Sequence, residues 1–566
     1  MATSEPLNPP VPPQTEEGSR HWRRILTTVA ILAIAVAWRL IGIQTTAAWR
    51  DEAVTLLHLQ NSWWETVARL PFIEDSPPLF FLFLKVWSLL FASEWTLRLL
   101  ALVFGVLTVA MIMKLADRLR PGSGPVAGLL AALSPVAVHY SQELRVYSLL
   151  MLLMVLCLWA TEEVARQPRS KQWHFLWGLF AVLAAHCHAI GVFVFPATGA
   201  YLLVRLGWSR KWKALSAWSF VTWLVGSAPM FWFNLHWARM HKETGWWIDP
   251  ASTNSTLGLV ESFTGALRVM QWIQEALSPT LITLLSRTTA LLIYGTCGLL
   301  MLAALWDRRT RKPAAGLLAA SGTFVGVLFV TSLLGVPNMI DRTLLPAWAP
   351  ILVLLGIAGA PRTGRTPGNL VRTGSVIVMA TLWAVSGGWL AAYSIYERRP
   401  ASAECFEWVR ARLGPDDMVV ITPSWLEDSA AWHLRDAIAG EQLFTTDAPA
   451  YAGRPPHHTL QHHRITITGT EVREGAWSDR IRQALEQRRG KDFSVWLLCG
   501  RWQELIVRDP ALKQLESFLL NAFERGERYT PPHLTGIVAQ QWVPVSPVAT
   551  ENEDPSPAST QRSEVD

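Results

Sequence analysis

Charge is what this chain has least of. Asp, Glu, Lys and Arg together make up 17% of its 566 residues, against 51% hydrophobic. So little charge over such a length excludes both an ordinary soluble globule and a disordered chain. Cysteine is scarce as well. Cys157, Cys187 and Cys297 sit in apolar runs and Cys405 and Cys499 in the tail, without the paired spacing that a zinc site needs. Cys405 and Cys499 could pair if the tail lies outside the cytoplasm. A cleavable leader is also missing: the first apolar run is long, follows Arg20, Arg23 and Arg24, and lacks a cleavage site, so it is expected to stay as an anchor. The net charge of +6 is no nucleic-acid footprint, because the Lys and Arg fall in short loops between apolar runs.

What is present in excess is tryptophan, 30 residues, many near the ends of apolar runs as interfacial anchors are. A membrane span needs roughly 20 apolar residues. Ile25–Ile43 is the first, and its basic flank places the N-terminus in the cytoplasm. The next basic cluster, Lys114, Arg118 and Arg120, should be cytoplasmic too, so an odd number of crossings separates the two. Pro77–Ala92 and Leu97–Met113 compete for that crossing. The first is short, opens on Pro77-Pro78 and carries Lys85, so it reads as a juxtamembrane or re-entrant helix. Further spans follow at Val126–Tyr140, Tyr147–Thr161, Trp173–Ala185, Ile190–Val204, Leu215–Phe233, Leu281–Trp306, Ala315–Leu334, Leu345–Ala358 and Ser375–Tyr393. About eleven spans with every basic loop on one side is the expected topology.

After Arg398 the composition changes. Residues 400–545 alternate β-rich runs (Met418–Thr422, Phe493–Cys499, Ile537–Val543) with amphipathic stretches (Ala403–Leu413, Asp479–Gln487, Leu512–Glu524). Gly414-Pro415-Asp416-Asp417 signals a turn before the first strand. No Gly-rich nucleotide loop appears there. The expected fold class is a polytopic α-helical membrane protein with a C-terminal extracytoplasmic α/β domain. The expected division is a disordered cytoplasmic tail (1–20), a transmembrane domain (21–397) with a first extracytoplasmic loop at 44–96, the α/β domain (398–545), and a disordered tail (546–566).

On this topology the polar residues at membrane level collect on the outer face. They are Asp51 and Glu52, Asp75, Gln142-Glu143-Leu144-Arg145 with Tyr147, His186 and His188, and Asp341-Arg342. Intramembrane charges are costly and need a reason. A carboxylate beside arginines in a partly dry cavity suits acid–base work on a hydroxyl and capture of an anionic leaving group. Plainer readings stand beside this one. Asp51 and Glu52 could be the acidic first turn of a surface helix, Glu143 and Arg145 a polar edge, and His186 and His188 turn residues. Arg342 could be a snorkelling arginine, and Trp246-Trp247 an interfacial anchor.

Several stretches, in order, resemble the C-type glycosyltransferases, the superfamily of protein O-mannosyltransferases and lipid A aminoarabinose transferases. They are Arg50-Asp51-Glu52-Ala53, Asp75-Ser76-Pro77-Pro78-Leu79-Phe80-Phe81, Ser93-Glu94-Trp95-Thr96-Leu97-Arg98-Leu99 leading into Phe104-Gly105-Val106-Leu107, Ser134-Pro135, and Tyr140-Ser141-Gln142-Glu143-Leu144-Arg145-Val146-Tyr147. The likeness covers roughly residues 20–210 and is loose beyond.

The resemblance implies a polyprenyl-phosphate-linked sugar donor, used on the outer face of the plasma membrane, and a glycan, lipid or protein acceptor. It implies Asp51 as general base, with Glu52 and Glu143 as further catalytic acids. Arg145, Arg342 and Lys85 are the expected phosphate-binding cations, and Arg50, Asp75, Tyr147 and His188 the expected substrate contacts. Many relatives carry His or Lys directly before the Pro-Pro pair, where this chain has Ser76. No cofactor is expected, though adjacent Asp51 and Glu52 leave a divalent cation open. The rival reading is a transporter or flippase of a lipid-linked substrate, which internal repeats with matching broken helices would mark. The sequence has no such symmetry.

Overall fold

The computed structural model describes residues 14–44, 48–67, 76–206, 217–244, 279–334, 336, 339–362, 367–396, 401–422, 427–438, 443–445, 460–462, 465–467, 483–488, 493–500, 517, 519–521, 523–529 and 537–545. Residues 1–13 of the expected first tail, the whole of the expected second tail, Asp75 and Trp246-Trp247 lie outside these residues, whereas residues 14–20 are helical.

The long first helix α1 (Gln14–Leu40) is followed by two short ones, α2 (Arg50–Leu59) and α3 (Leu79–Ser88). Then come α4 (Glu94–Leu119), α5 (Gly124–Leu133), α6 (Pro135–Ser141), α7 (Tyr147–Arg166), α8 (Lys171–Ala185) and, after a 3-10 turn at Ala189–Phe193, α9 (Val194–Leu206). The second half adds α10 (Ala217–Thr244), α11 (Pro279–Trp306), α12 (Arg311–Leu333), α13 (Asp341–Gly359) and α14 (Pro367–Tyr396). Among the described residues six helical segments are long and apolar enough to cross a membrane, so the chain is a multi-pass membrane protein. The other expected spans fall on α1, the α5–α6 pair, α8, α10 and α11. At 10 residues α3 is only about 15 Å long, half a bilayer core.

The segments Tyr147–Arg166 and Arg342–Gly359 are 83% buried and form the centre, whereas Pro367–Val385 is 28% buried and faces outward. The outer helices leave large apolar side chains such as Leu299, Leu302, Val330 and Leu333 uncovered, as lipid-facing surfaces do.

One break in this bundle has a readable cause. Pro135 cannot donate a backbone hydrogen bond, and Ser134 before it leaves the helical region at φ −58°, ψ 115°. The α5 carbonyls of Ala131 and Ala132 are thereby freed. Arg39, buried near the end of α1, donates to both at 3.4 and 3.2 Å. Trp348 on α13 donates to Ser134 Oγ at 2.9 Å. The redirected α6 then approaches α4 at Gly105, where an added Cβ would lie 2.2 Å from Ser141 Oγ and 3.0 Å from Arg39 Nε. Gly105→Ala is therefore expected to destabilise the bundle by about 1–3 kcal/mol. A lower aggregation temperature of the purified variant in detergent would show it, and an unchanged one would sink the expectation.

At the far end of α4 a second network closes the bundle. Arg118 grips Glu163 with two bonds of 2.7 and 2.8 Å. Glu162 receives Arg166, Arg205 and the Tyr201 hydroxyl at 2.7–3.1 Å.

The C-terminal region opens with α15 (Ala401–Arg410) and includes β1 (Met418–Thr422), α16 (Glu427–His433), β2 (Leu443–Thr445), β3 (Leu460–His462), β4 (Ile465–Ile467), β5 (Val495–Gly500), β6 (Phe523–Tyr529) and β7 (Ile537–Pro544). A five-stranded sheet runs in the order β2-β1-β5-β7-β6, with β2, β1 and β5 parallel and the last two pairings antiparallel. The expected turn before β1 is closed by Asp417, whose carboxylate accepts from Gly414 N, Ser494 N and Trp496 Nε1 at 2.7–2.8 Å. The helix expected over Leu512–Glu524 is corrected at its end. From Phe523 the chain is a strand, with Phe523 inside and the next residues exposed, stapled to β7. Cys405 is a free, buried thiol, and burial raises its pKa.

Candidate active site

The site is built where α1 ends and α2 begins. Helix α2 starts at residue 50, so Asp51 and Glu52 are one residue apart on a helix and point about 100° from each other. Packing decides which goes where. Glu52 turns inward and is 2% exposed. Arg98 on the first turns of α4 clasps it, Nε to Oε1 at 2.8 Å and Nη2 to Oε2 at 2.7 Å. The Leu144 N–H donates to Oε1 at 2.7 Å, and the Trp49 N–H to Oε2 at 3.4 Å. With both oxygens committed, Glu52 fastens three segments together.

Asp51 turns the other way. Its Oδ2 meets Arg342 Nη1 of α13 at 2.9 Å, the two side chains being 16% and 25% exposed. Arg145 reaches the same turn of α2, donating through Nη1 to the Asp51 carbonyl at 3.2 Å and to Thr55 Oγ1 at 3.1 Å. Three residues far apart in sequence thus meet, and Asp51 and Arg342 remain open to solvent.

Glu143 lies beside this group, 13% exposed and paired with His139 Nε2 at 2.9 Å. Tyr147 and His188 are packed inward, 2% and 3% exposed, with ring centroids 5.7 Å apart and Tyr140 edge-on to Tyr147 at 5.4 Å. They form a floor to the site rather than an open contact surface. His188 Nδ1 also accepts from Ile190 N at 3.3 Å, capping the 3-10 turn, and the His186 ring donates to Gly226 O at 3.0 Å.

Lys85 is elsewhere. Its Nζ donates to the carbonyls of Leu59 (3.0 Å) and Asn61, capping the C-terminus of α2, and burial lowers its pKa. Leu59 is eight residues from Asp51, roughly 12 Å along the helix. Lys85 thus braces the end of α2, apart from the Asp51–Arg342 pair. The Arg50 side chain lies outside the described residues. Among the described residues no three His, Cys, Asp or Glu side chains gather as a metal set. Asp51 and Glu52 pair with different arginines, Arg342 and Arg98.

Glu94, Arg98, Thr55 and His139 were not anticipated as site residues. Arg98 carried a signal, since a guanidinium inside an apolar helix needs a partner. No sequence signal marked the next contact. Trp432 on α16 donates to Glu94 Oε1 at 2.7 Å, the other Glu94 oxygen accepts from Ala48 N at 3.3 Å, and His433 Nε2 donates to Ala48 O at 3.1 Å. The C-terminal domain thus holds the segment that leads into α2.

His433 stacks on Phe406 at 5.3 Å with Glu94, Glu407 and Arg435 around it. Burial outweighs the Ala48 carbonyl and the acids and lowers its pKa below the ordinary value. The docked ring is neutral, so proton uptake favours undocking. The contact is complete above the ordinary His range, about 6.5, and weakens as pH falls below it. Hydrogen exchange of the Ala48–Ala53 amides, corrected for intrinsic rates, is expected to be faster at about pH 5 than at about pH 7.5, and His433→Gln should flatten that difference. Equal pH dependence in both proteins would refute this.

The fold is a multi-pass helical bundle with a C-terminal region built on a small sheet, whose Trp432 and His433 touch Glu94 and, ahead of α2, Ala48. The resemblance read from the first half of the sequence holds: residues 75–237 match the model of the family described as Dolichyl-phosphate-mannose-protein mannosyltransferase. The chain is similar in structure to ArnT from Cupriavidus metallidurans bound to undecaprenyl phosphate, at 14% identity and a TM-score of 0.58, over 91% of this chain and 97% of that one. Against the apo state of the same ArnT the TM-score is 0.56, at 14% identity, over 93% and 98% of the two chains. The archaeal oligosaccharyltransferase AglB from Archaeoglobus fulgidus, in complex with an inhibitory peptide and a dolichol-phosphate, aligns at 12% identity and a TM-score of 0.48, over 91% of this chain and 74% of that one. No curated protein matches the chain by sequence.

Proposed function

We propose that this protein is a membrane glycosyltransferase that moves a sugar from a polyprenyl-phosphate donor to an extracytoplasmic glycan, lipid or protein. The observation that carries the reading is the half-open Asp51–Arg342 pair, with Arg145 on the same turn of α2. Asp51 takes the proton of an acceptor hydroxyl, whose oxygen attacks the anomeric carbon. The bond from that carbon to the phosphate oxygen breaks, and its electron pair leaves with the lipid phosphate. A single displacement inverts the anomeric centre. Departure of the phosphate calls for positive charge, and guanidiniums suit it through paired N–H donors. Arg342, and Arg145 behind it, supply that charge. Glu143 and His139 form a second acid–imidazole pair beside the site, able to bind acceptor hydroxyls.

In the relative itself the lipid is undecaprenyl phosphate, which supports the donor class. The outer-face placement rests on the basic loops gathering at the opposite end of the bundle. Mass spectrometry of envelope glycans, glycolipids and glycoproteins from a deletion strain tests the proposal. One missing sugar, restored by the wild-type gene, is the expected result. An unchanged profile would refute it, and a sugar lost through blocked transport would leave the purified protein unable to form a glycosidic bond.

A further inference from the structure

The end of the bundle remote from Asp51 carries a second cluster of charge that the transfer reaction does not use. Helix α4 begins beside Ala48 and runs 26 residues, so its far end lies about 39 Å from the site. There Arg120, Arg362 and Arg372 surround a single carboxylate, Asp307. Asp307 is taken by Arg362. Arg120 spends its Nη groups on the carbonyls of Ile357 and Pro361, at 2.5 and 3.2 Å, capping α13. Arg372 is left with a poor share: it is 8% exposed, and its Nη1 is buried without a hydrogen-bond acceptor. A buried guanidinium with an unmet donor is costly, and an anion beside it would repay the cost.

The surroundings say which anion. Trp306, 91% exposed at the end of α11, stands next to Asp307 and marks the level of the membrane interface. Leu370 and Val371, 76% and 60% exposed, precede Arg372 and present an apolar flank suited to acyl chains. Arg308, Arg309, Arg311 and Lys312 form an exposed basic rim on the turn that carries Asp307. Arginines at headgroup depth, an apolar flank and a basic rim fit the phosphate of a lipid better than a soluble carboxylate.

We propose that Arg372 and Arg362, with Arg120 beside them, bind the headgroup phosphate of an anionic phospholipid at this end of the bundle. The lipid headgroup lies against the ends of α11, α13 and α14 and neutralises the cluster. It is independent of the donor lipid at Asp51.

The test uses the full chain reconstituted in vesicles of phosphatidylglycerol and phosphatidylcholine in equal parts, extracted in mild detergent and weighed by native mass spectrometry. Wild type is expected to retain phosphatidylglycerol in preference to phosphatidylcholine. Arg372→Gln should lower that retention roughly fivefold, one basic residue's worth at a membrane surface. Asp307→Asn removes the one competing carboxylate and should raise retention, which a merely structural role for the cluster would not do, and it keeps the test decisive if Arg372→Gln misfolds. Equal retention in wild type and Arg372→Gln, no rise in Asp307→Asn, or no preference between the two lipids would overturn the proposal. So would complete displacement of the lipid by millimolar inorganic phosphate, which would mark a free-phosphate site instead.

Discussion

Asp51→Asn is expected to reduce sugar transfer by about 10²–10⁴-fold, the usual worth of a general base, while the protein still inserts and folds. The amide keeps the size of the carboxylate and an oxygen that can accept from Arg342, but it cannot take the acceptor's proton at neutral pH. Folding should survive because the structural acid of this turn is Glu52. Asp51 and Arg342 are partly open to solvent, so their attraction adds little to stability. The measurement is transfer from a polyprenyl-phosphate sugar to acceptor by purified protein, with the elution profile in detergent as the folding control. Full activity in a well-folded Asp51→Asn would remove the central residue from the mechanism. A loss confined to donor affinity would shift Asp51 from base to a holder of Arg342.

Much of this arrangement is legible along the chain, and the rest fails for definable reasons. Basic loops recurring on one side located the helical segments. The Gly414–Asp417 turn follows from local backbone chemistry, which sequence carries directly, whereas the expected span Val126–Tyr140 runs through Pro135, where the chain breaks into α5 and α6. The short α3 is legible from the parity of the basic loops, together with its length, its Pro77-Pro78 start and Lys85. Asp51 and Glu52 were not separable, because neighbouring carboxylates on one helix turn differ only in what packs against each face. The partner that separates them, Arg98, lies 46 residues away on α4. The place of Lys85 was hidden for a similar reason. A cation near the Pro-Pro pair suits a phosphate, but its stem points to the end of α2, and two backbone carbonyls use its charge. The clasp from Trp432 and His433 had no local pattern at all, since it joins residues 338 and 385 positions apart.

The largest expected effect on folding comes from the pair that distinguishes Glu52 from its neighbour. Both side chains are almost wholly buried, 3% exposed for Glu52 and 2% for Arg98. Removing one partner strands the other charge in a low-dielectric interior, at a cost of about 3–5 kcal/mol. Arg98→Leu should therefore leave Glu52 as an uncompensated carboxylate, and Glu52→Leu should leave both Arg98 and the Leu144 N–H unmet. Either single variant is expected to lose most of its folded yield in the membrane. The double variant Glu52→Leu/Arg98→Leu removes both charges together and should regain much of that yield, because an apolar pair of similar size is often as stable as a buried ion pair. Folded yield by fluorescence-detected chromatography of a tagged chain measures the cycle. If Glu52 were a reacting acid instead, the singles would fold normally and lose only activity. If it fastens α2, α4 and the Leu144 segment, the singles fail together and the double is rescued, and any activity lost by the rescued protein reports how finely that clasp aims Asp51.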